Sequence, residues 1–227
     1  MNRVQRNNQM RGTTLSAFTC IVLALTACSN PFAPETEPGE TIVKGPAPDA
    51  TTPEVLMDNL RRAMRDRDKD LYESVLDPAF WFTETDCAGD LVLANGFEQE
   101  IEFLGGSRDG SREGIFDIFR EFEYDFQLIQ EYIEIGADYP EAFEGDPDGH
   151  PEEDWQVFRG RVQMLMLDEN GDGFRVDQIM TYKLRLADNG LWKIVRWIDD
   201  PLSGDCGAGK PTTNKSNWSN VKITANK

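Results

Sequence analysis

Basic residues are scarce in this chain of 227 residues, which has 23 lysines and arginines against 41 aspartates and glutamates and a net charge of −18. A surface of this sign repels phosphate backbones, so we expect no nucleic-acid partner. The chain also lacks a run of 18 consecutive apolar residues, so no segment is predicted to span a membrane as a helix. His150 is the only histidine, which leaves a serine or cysteine nucleophile without an evident base and excludes a Ser-His-Asp hydrolase.

The N-terminal residues are typical of a secretory signal. Residues 1–14 carry three arginines and no acidic residue, and residues 15–27 form an uncharged, mostly apolar stretch that is too short to span a membrane permanently. The sequence Leu25-Thr26-Ala27-Cys28 then resembles the bacterial lipobox, in which the cysteine is acylated and becomes the first residue of the mature chain. An ordinary secretory signal that ends near a cysteine is the alternative.

The lipobox resemblance predicts both a location and a partner. Residues 1–27 would be removed as the signal peptide, and acylated Cys28 would anchor the exported protein to a lipid bilayer. By resemblance to enterobacterial sorting, Ser29 after the acylated cysteine favours the outer membrane in a cell that has two membranes.

The rest of the chain divides by composition into three parts. Residues 28–50 contain five prolines and little apolar surface, so they are predicted to be a tether that follows the lipidated cysteine. Residues 51–206 have the length of one domain. Residues 207–227 form a tail with four lysines and no acidic residue, which either docks on the acidic domain through Trp218, Val221 and Ile223 or frays.

Cysteine usage predicts one disulfide bond. Cys20 would be lost with the signal and Cys28 would be acylated, which leaves Cys87 and Cys206 as an even pair in an oxidising compartment. Each follows a predicted strand in a stretch rich in glycine and aspartate, where loops can meet. Two separate buried thiols are the alternative.

Apolar periodicity predicts an α+β domain with helices on one face of a bent antiparallel sheet. A capping box of Thr51 and Glu54 begins the first helix, and Asp68 caps a second, short helix. The further predicted helices are 97–104 and 111–120. The predicted strands are 80–82, 125–135, 155–167, 174–187 and 191–199, with an acidic loop at 137–154.

Several motifs resemble the nuclear transport factor 2-like superfamily, and in particular its SnoaL-like bacterial members. They are Thr-Pro-Glu-Val-Leu at 52–56, Leu-Arg-Arg-Ala at 60–63, Arg-Asp-Arg-Asp at 65–68, Leu-Asp-Pro-Ala-Phe at 76–80, and Gly-Leu-Trp-Lys-Ile at 190–194 with Trp-Ile-Asp at 197–199. The resemblance covers about residues 51–200. It implies a cone, with a curved sheet wrapped around the N-terminal helices and a pocket at the wide mouth. Enzymes, binding proteins and adaptors share this fold, so the fold does not give the function.

Candidate site residues are few. Tyr72, Gln178, Tyr182 and Trp197 are predicted to line the cone. Asp199 and Tyr182 are the only candidates for an acid–base pair, and we expect no catalysis because Asp199 ends a strand where solvent is expected. The residue types predict no cofactor and no metal site.

Two polar segments could be interpreted as functional sites, and for each a purely structural interpretation is simpler. The segment Asp168-Glu169-Asn170-Gly171-Asp172-Gly173 matches the start of a calcium loop but lacks the closing glutamate, so a hairpin turn is favoured. His150 lies in the acidic loop, where we expect it to be solvated.

Three hypotheses about function remain open from the sequence. The first is a membrane-tethered, non-catalytic domain that binds a small apolar ligand or an envelope protein. The second is a small isomerase, dehydratase or hydrolase with an Asp-Tyr pocket. The third is a structural envelope lipoprotein that forms a homodimer through its sheet.

Overall fold

A computed structural model describes residues 45–86, 88–200, 218, 221 and 222 of the chain. The predicted signal peptide, the lipobox with Cys28 and most of the tether lie outside the described residues, as do both cysteines of the predicted disulfide, Cys87 and Cys206. Within the described part of the chain, no helix is long and apolar enough to cross a membrane.

Between residues 45 and 200, the described part of the chain contains four α-helices and one 3₁₀ turn besides the strands, and Trp218, Val221 and Lys222 of the tail are also helical. The helices are α1 (Pro53–Asp66), α2 (Lys69–Val75), α3 (Phe97–Gly105) and α4 (Ile115–Ile118), and the 3₁₀ turn is Gly136–Asp138. Asp68 caps α2 as predicted, because its Oδ1 accepts a hydrogen bond from the Leu71 amide at 3.0 Å. The predicted cap of α1 was one residue off, since Thr52 rather than Thr51 accepts from the Val55 amide.

Six strands form one sheet. They are β1 (Leu76–Thr85), β2 (Leu91–Gly96), β3 (Glu121–Glu134), β4 (Trp155–Leu167), β5 (Gly173–Leu186) and β6 (Trp192–Asp200), in the spatial order β2-β1-β6-β5-β4-β3. All neighbouring pairs are antiparallel except β1 and β6, which run parallel. The predicted antiparallel sheet is therefore confirmed except at this one pair, which makes the sheet mixed. Almost the whole domain separates the two strands in sequence, and a connection of that length permits parallel pairing.

The long β-section agrees best with the sequence prediction. Strand β4 has the predicted bounds, and β5 and β6 are each displaced by one residue. The turn between β4 and β5 is also confirmed, because the Asp168 side chain accepts from the amides of Asn170 and Asp172 at 2.8 and 3.0 Å. Strand β2 was not predicted, and the helix predicted over 111–120 is limited to α4.

The apolar core lies between the helices and the concave side of the sheet. Leu56, Leu60 and Met64 of α1 pack there against residues of β3 to β6 such as Met166 and Leu184. The domain is thus α+β, with one curved sheet wrapped around helices. Contacts with the domain begin before residue 51, since the Pro48 carbonyl accepts a hydrogen bond from Asn59 and Ala50 is buried.

The opposite face of the sheet is covered by the acidic loop, which corrects the expectation that His150 is solvated. Its ring stacks on Trp155 with centroids 3.7 Å apart and on Tyr139 at 4.9 Å, and the residue is buried. Beneath the same loop, Lys183 pairs with Glu134 at 2.9 Å and with Asp148 at 3.2 Å. Around Lys183, the polar face of β5 is therefore an internal ion-paired layer rather than a solvent surface.

Gly160 allows β3 to approach β4 closely at a register shift. A Cβ atom at this position would lie 2.4 Å from the Phe126 ring and 2.5 Å from the Gln127 carbonyl oxygen. We expect Gly160→Ala to lower the free energy of unfolding by about 1–3 kcal/mol, because backbone must move to admit the methyl group. Urea denaturation measures the change.

Gly105→Ala is the matched control, since its Cβ would meet Lys69 at an ordinary 3.6 Å and alanine favours a helix. Equal losses of stability in the two variants would contradict this account of the register shift.

Candidate functional site

A group of buried polar side chains lies on the concave side of the sheet, where the apolar core would be expected to continue. We call this group the interior cluster. Its members are Tyr72, Glu84, Asn95, Glu100, Gln178, Asp199 and Lys222, all of them buried.

Strand pairing brings two carboxylates of the interior cluster together. Side chains alternate along β1, so Glu84 follows Phe80 and Phe82 onto the inner face. The parallel register places Glu84 directly beside Asp199 of β6, and the antiparallel register places Met180 of β5 on the other side of Asp199. Two acidic side chains therefore enter the interior next to each other.

Glu100 is the most heavily bonded carboxylate of the cluster. Its Oε1 accepts a hydrogen bond from the Tyr72 hydroxyl at 3.0 Å, and its Oε2 accepts from Lys222 Nζ at 2.5 Å. The Asn95 amide also donates to Oε2 at 3.4 Å. Helix α3 turns Glu100 inward because it shares one face with Phe97 and Leu104 at helical spacing. Burial and the adjacent Glu100 raise the pKa of Tyr72 well above its ordinary value, so this hydroxyl remains a donor.

Asp199 has a different environment, and its position corrects the sequence prediction. Instead of ending β6 in solvent, the side chain is fully buried, with 0% of its surface exposed. Neither carboxylate oxygen makes a well-formed hydrogen bond among the described residues, although the Gln178 side chain lies close enough to act on the pKa of Asp199. Burial and the neighbouring charge of Glu84 raise the pKa of Asp199 well above the ordinary value of 3.8, although Lys222 acts in the opposite direction. The expectation that Asp199 lies in solvent is therefore wrong.

The structure places all four predicted lining residues in this interior. Tyr72 bonds to Glu100, and the Gln178 side-chain oxygen accepts a hydrogen bond from the Trp218 amide at 2.8 Å. Tyr182 shares a hydrogen bond of 2.7 Å with the Tyr124 hydroxyl. Trp197 packs against Tyr182, with centroids 4.9 Å apart. Whether these residues contact a ligand stays a prediction.

The described residues of the tail are docked, not frayed. Trp218, Val221 and Lys222 are all buried, and Trp218 stacks on Trp197 with centroids 6.3 Å apart and nearly parallel planes. Ile223, the third predicted docking residue, lies outside the described residues. Docking places an aromatic ring and an ammonium group of the tail inside the domain.

Sequence reasoning missed four members of the interior cluster: Glu84, Asn95, Glu100 and Lys222. For two of them, the sequence periodicity indicated a position on the inner face. Glu84 continues the two-residue alternation of Phe80 and Phe82, and Glu100 continues the helical spacing of Phe97 and Leu104. The signal was overlooked because a charged residue on an apolar face is usually a boundary rather than a member of the core.

No group of three or more histidine, cysteine, aspartate or glutamate side chains in the described ranges is placed to hold a metal ion. The two carboxylates that lie side by side, Glu84 and Asp199, are accompanied instead by the Lys222 ammonium. Within this part of the chain, the interior cluster is suited to hydrogen bonding and charge pairing.

A scan against known protein families finds no match, and neither does a search of curated protein sequences. The fold is α+β. Solved structures with similar chains include a nuclear transport factor 2-like superfamily protein from Salmonella enterica serovar Typhimurium, with 14% identity over 68% of this chain and 92% of that one and a TM-score of 0.43. Another is a protein of this kind from Rhodospirillum rubrum, described as of unknown function in nutrient uptake, with 16% identity, 66% and 97% coverage and a TM-score of 0.41.

A third similar structure is a nuclear transport factor 2-like protein of unknown function from Shewanella baltica, with 10% identity, 63% and 86% coverage and a TM-score of 0.35. All three of these neighbours are described as nuclear transport factor 2-like proteins. Likenesses this distant carry no argument about function, which must come from the interior cluster itself.

The buried position of Asp199 predicts a pH-dependent effect of its removal. An acid whose pKa is raised by folding destabilises the folded state increasingly as the pH rises above 3.8 toward the folded-state pKa. We therefore expect Asp199→Asn to raise the free energy of unfolding at pH 7.5, because an amide of the same shape does not ionise and so removes this penalty. The gain should shrink toward pH 4.5 in urea denaturation.

Asp200→Asn is the control for this pH dependence. Its carboxylate is 34% exposed and lies 3.5 Å from Arg159, outside the interior. A gain that is the same at both pH values for Asp199→Asn, or that Asp200→Asn shows equally, would contradict the assigned environment.

Proposed function

We propose that this protein is an exported lipoprotein, anchored through acylated Cys28, whose nuclear transport factor 2-like domain of SnoaL-like type binds a small ligand without catalysing a reaction. The ligand site in this proposal is the interior cluster. The observation that carries it is Asp199, a fully buried carboxylate whose two oxygens make no well-formed hydrogen bond among the described residues.

Unpartnered buried carboxylates are rare because burying them is unfavourable. A group of this kind persists where it serves a function, and an acceptor surrounded by apolar walls is the usual composition of a small-molecule site. Phe82, Trp197 and Tyr182 supply such walls around the interior cluster. The arrangement supports a ligand with an apolar body and one or two polar groups that orient it.

The hydrogen bonds of the interior favour binding over catalysis. The Tyr182 hydroxyl, which the sequence offered as a donor to substrate, is bonded to Tyr124 and lies 3.4 Å from the Met180 sulfur. Glu100 is occupied by Tyr72 and Lys222. A general base needs a free lone pair aimed at the substrate, with a hydrogen-bond donor opposite it. Neither the Tyr182–Tyr124 pair nor Glu100 with its two donors provides both.

Ligand binding is tested on protein extracted from its native membrane in mild detergent. We expect mass spectrometry to find a small molecule bound to the extracted wild-type protein, and to find it reduced at least about tenfold in Trp197→Ala, which removes a wall of the interior. Phe143→Ala is the matched control, because Phe143 is 63% exposed on the outer loop. Recovery of an envelope protein and no small molecule would contradict the proposal in favour of a protein-binding role.

A second candidate function, a small isomerase, dehydratase or hydrolase, is favoured by one observation. Burial raises the pKa of Asp199 and so favours its protonated form, which is the form that a general acid needs. If the native ligand is turned over, Asp199→Asn should abolish turnover and leave the fold unchanged. Turnover that survives in Asp199→Asn would exclude this enzyme.

The lipid anchor gives a separate prediction. In the bacterial cell, Cys28→Ala should yield a protein without the acyl mass that no longer partitions with membranes, because the thiol that carries the lipid is gone. Cys20→Ala, which changes a cysteine within the predicted signal, should leave acylation intact. Intact-mass analysis decides, and a wild-type protein with an unmodified Cys28 would contradict the anchor.

A further inference from the structure

One occupant of the interior is a cation supplied by the chain itself. Lys222 is fully buried, with 0% of its surface exposed, and its Nζ lies 2.5 Å from Glu100 Oε2. The same nitrogen lies 3.6 Å from the centroid of the Phe82 ring. An ammonium group is therefore held by a carboxylate at one side and by an aromatic face at another.

Further rings complete the surroundings of this ammonium group. Trp218, Phe103 and Trp197 have ring centroids 5.4, 5.8 and 5.9 Å from Lys222 Nζ. Aromatic faces within about 6 Å of a cation attract it through the ring quadrupole, and rings grouped around one cation are how proteins recognise organic ammonium ligands. Glu100 and Phe82 thus form a site that suits an ammonium group, whether the chain or a ligand supplies it.

Several carboxylates of the interior favour a cation at this position. Burial lowers the pKa of Lys222, and the charges of Glu100, Asp199 and Glu84 act against that effect. The other buried cations of the described chain, Lys183 and Arg196, belong to the ion-paired layer beneath the acidic loop. Three interior carboxylates therefore lie within electrostatic reach of this ammonium group.

The fit of the tail in this site is incomplete. The Trp218 indole N–H is buried without an acceptor among the described residues, and the Asp199 oxygens make no well-formed hydrogen bond there. A side chain that belongs permanently to a core normally has its polar groups paired. The ring of Trp218 and the charge of Lys222 therefore suit this site, but some of the polar groups in it remain without hydrogen bonds.

We propose that the interior cluster is a binding site for an organic cation, an amine with an apolar or aromatic body, and that Lys222 and Trp218 occupy it when no ligand is bound. This inference rests on the proposed ligand-binding function and adds the chemical class of the ligand. The ammonium of the ligand would replace Lys222 Nζ on Glu100 and Phe82. Its apolar body would replace Trp218 against Trp197, and a second donor on it would reach Asp199.

The direct test is chemical rescue of Lys222→Ala. The substitution removes the atoms from Cγ to Nζ, which n-propylamine reproduces as a propylammonium ion. We expect n-propylamine to bind Lys222→Ala and raise its melting temperature, and to bind wild type at least about tenfold more weakly, because an intramolecular ammonium competes at an effective concentration in the millimolar range. Calorimetric titration and thermal denaturation measure both effects.

Three controls separate a cation site from a general cavity. 1-Propanol has similar size and no charge, so it should not rescue Lys222→Ala. Lys69→Ala removes an exposed lysine that pairs with Asp117, and it should acquire no affinity for the amine. Adding Glu100→Gln to Lys222→Ala should abolish amine binding, because the carboxylate that receives the ammonium is lost.

Failure of Lys222→Ala to fold in plain buffer does not prevent the test. Refolding is then carried out with n-propylamine or with 1-propanol, and recovery with the amine alone supports the inference. Equal effects of the two compounds, or no effect of either, would overturn it.

Failure of the cation inference can also be distinguished from failure of the proposed ligand-binding function. If native extraction yields a neutral or anionic ligand and propylamine has no effect, the cation inference fails and the ligand-binding function stands. If extraction yields no small molecule and propylamine has no effect, both fail.

Discussion

The ion pair between Lys222 and Glu100 is the interaction on which the interior of this domain depends. Two opposite charges, both fully buried, are 2.5 Å apart. Removing one partner of such a pair leaves an uncompensated charge in an apolar environment, which typically destabilises a protein by about 3–5 kcal/mol. The pair therefore has to be maintained, either by the tail or by another cation that takes its place.

Strand order explains why the charges are there. Parallel pairing of β1 with β6 sets Glu84 beside Asp199, and α3 delivers Glu100 to the same space. These backbone positions would exist without the tail. The tail then adds a single ammonium to a site that already holds three carboxylates, which is why we regard the site as built for a cation and the tail as its occupant.

Much of the fold could be predicted from the sequence. The alternation of apolar and polar residues in β5 and the turn residues around Asp168 predicted the antiparallel section. Asp68, as a capping residue, indicated the start of α2. Parallel pairing of β1 and β6 could not be predicted, because it joins residues more than a hundred positions apart and local periodicity carries no such information.

The site was predictable only in part. Tyr72, Gln178, Tyr182 and Trp197 were assigned to the interior because apolar periodicity marks the inner face. Asp199 was assigned to solvent because the adjacent Asp200 and Pro201 suggested an exposed strand end, and burial by neighbouring elements overrode that local signal. Lys222 was missed because a lysine in a polar tail is ordinarily solvated, and only the tertiary contact with Glu100 distinguishes it.

The most direct test of the central claim is a crystal structure of the mature wild-type domain grown with phenethylamine. This amine carries an ammonium and a ring at a spacing that reaches the positions of Lys222 and Trp218. The account predicts its nitrogen within hydrogen-bond distance of Glu100 Oε2, its ring against Trp197, and both tail residues displaced. Lys222 still bound to Glu100, with the amine elsewhere or absent, would contradict it.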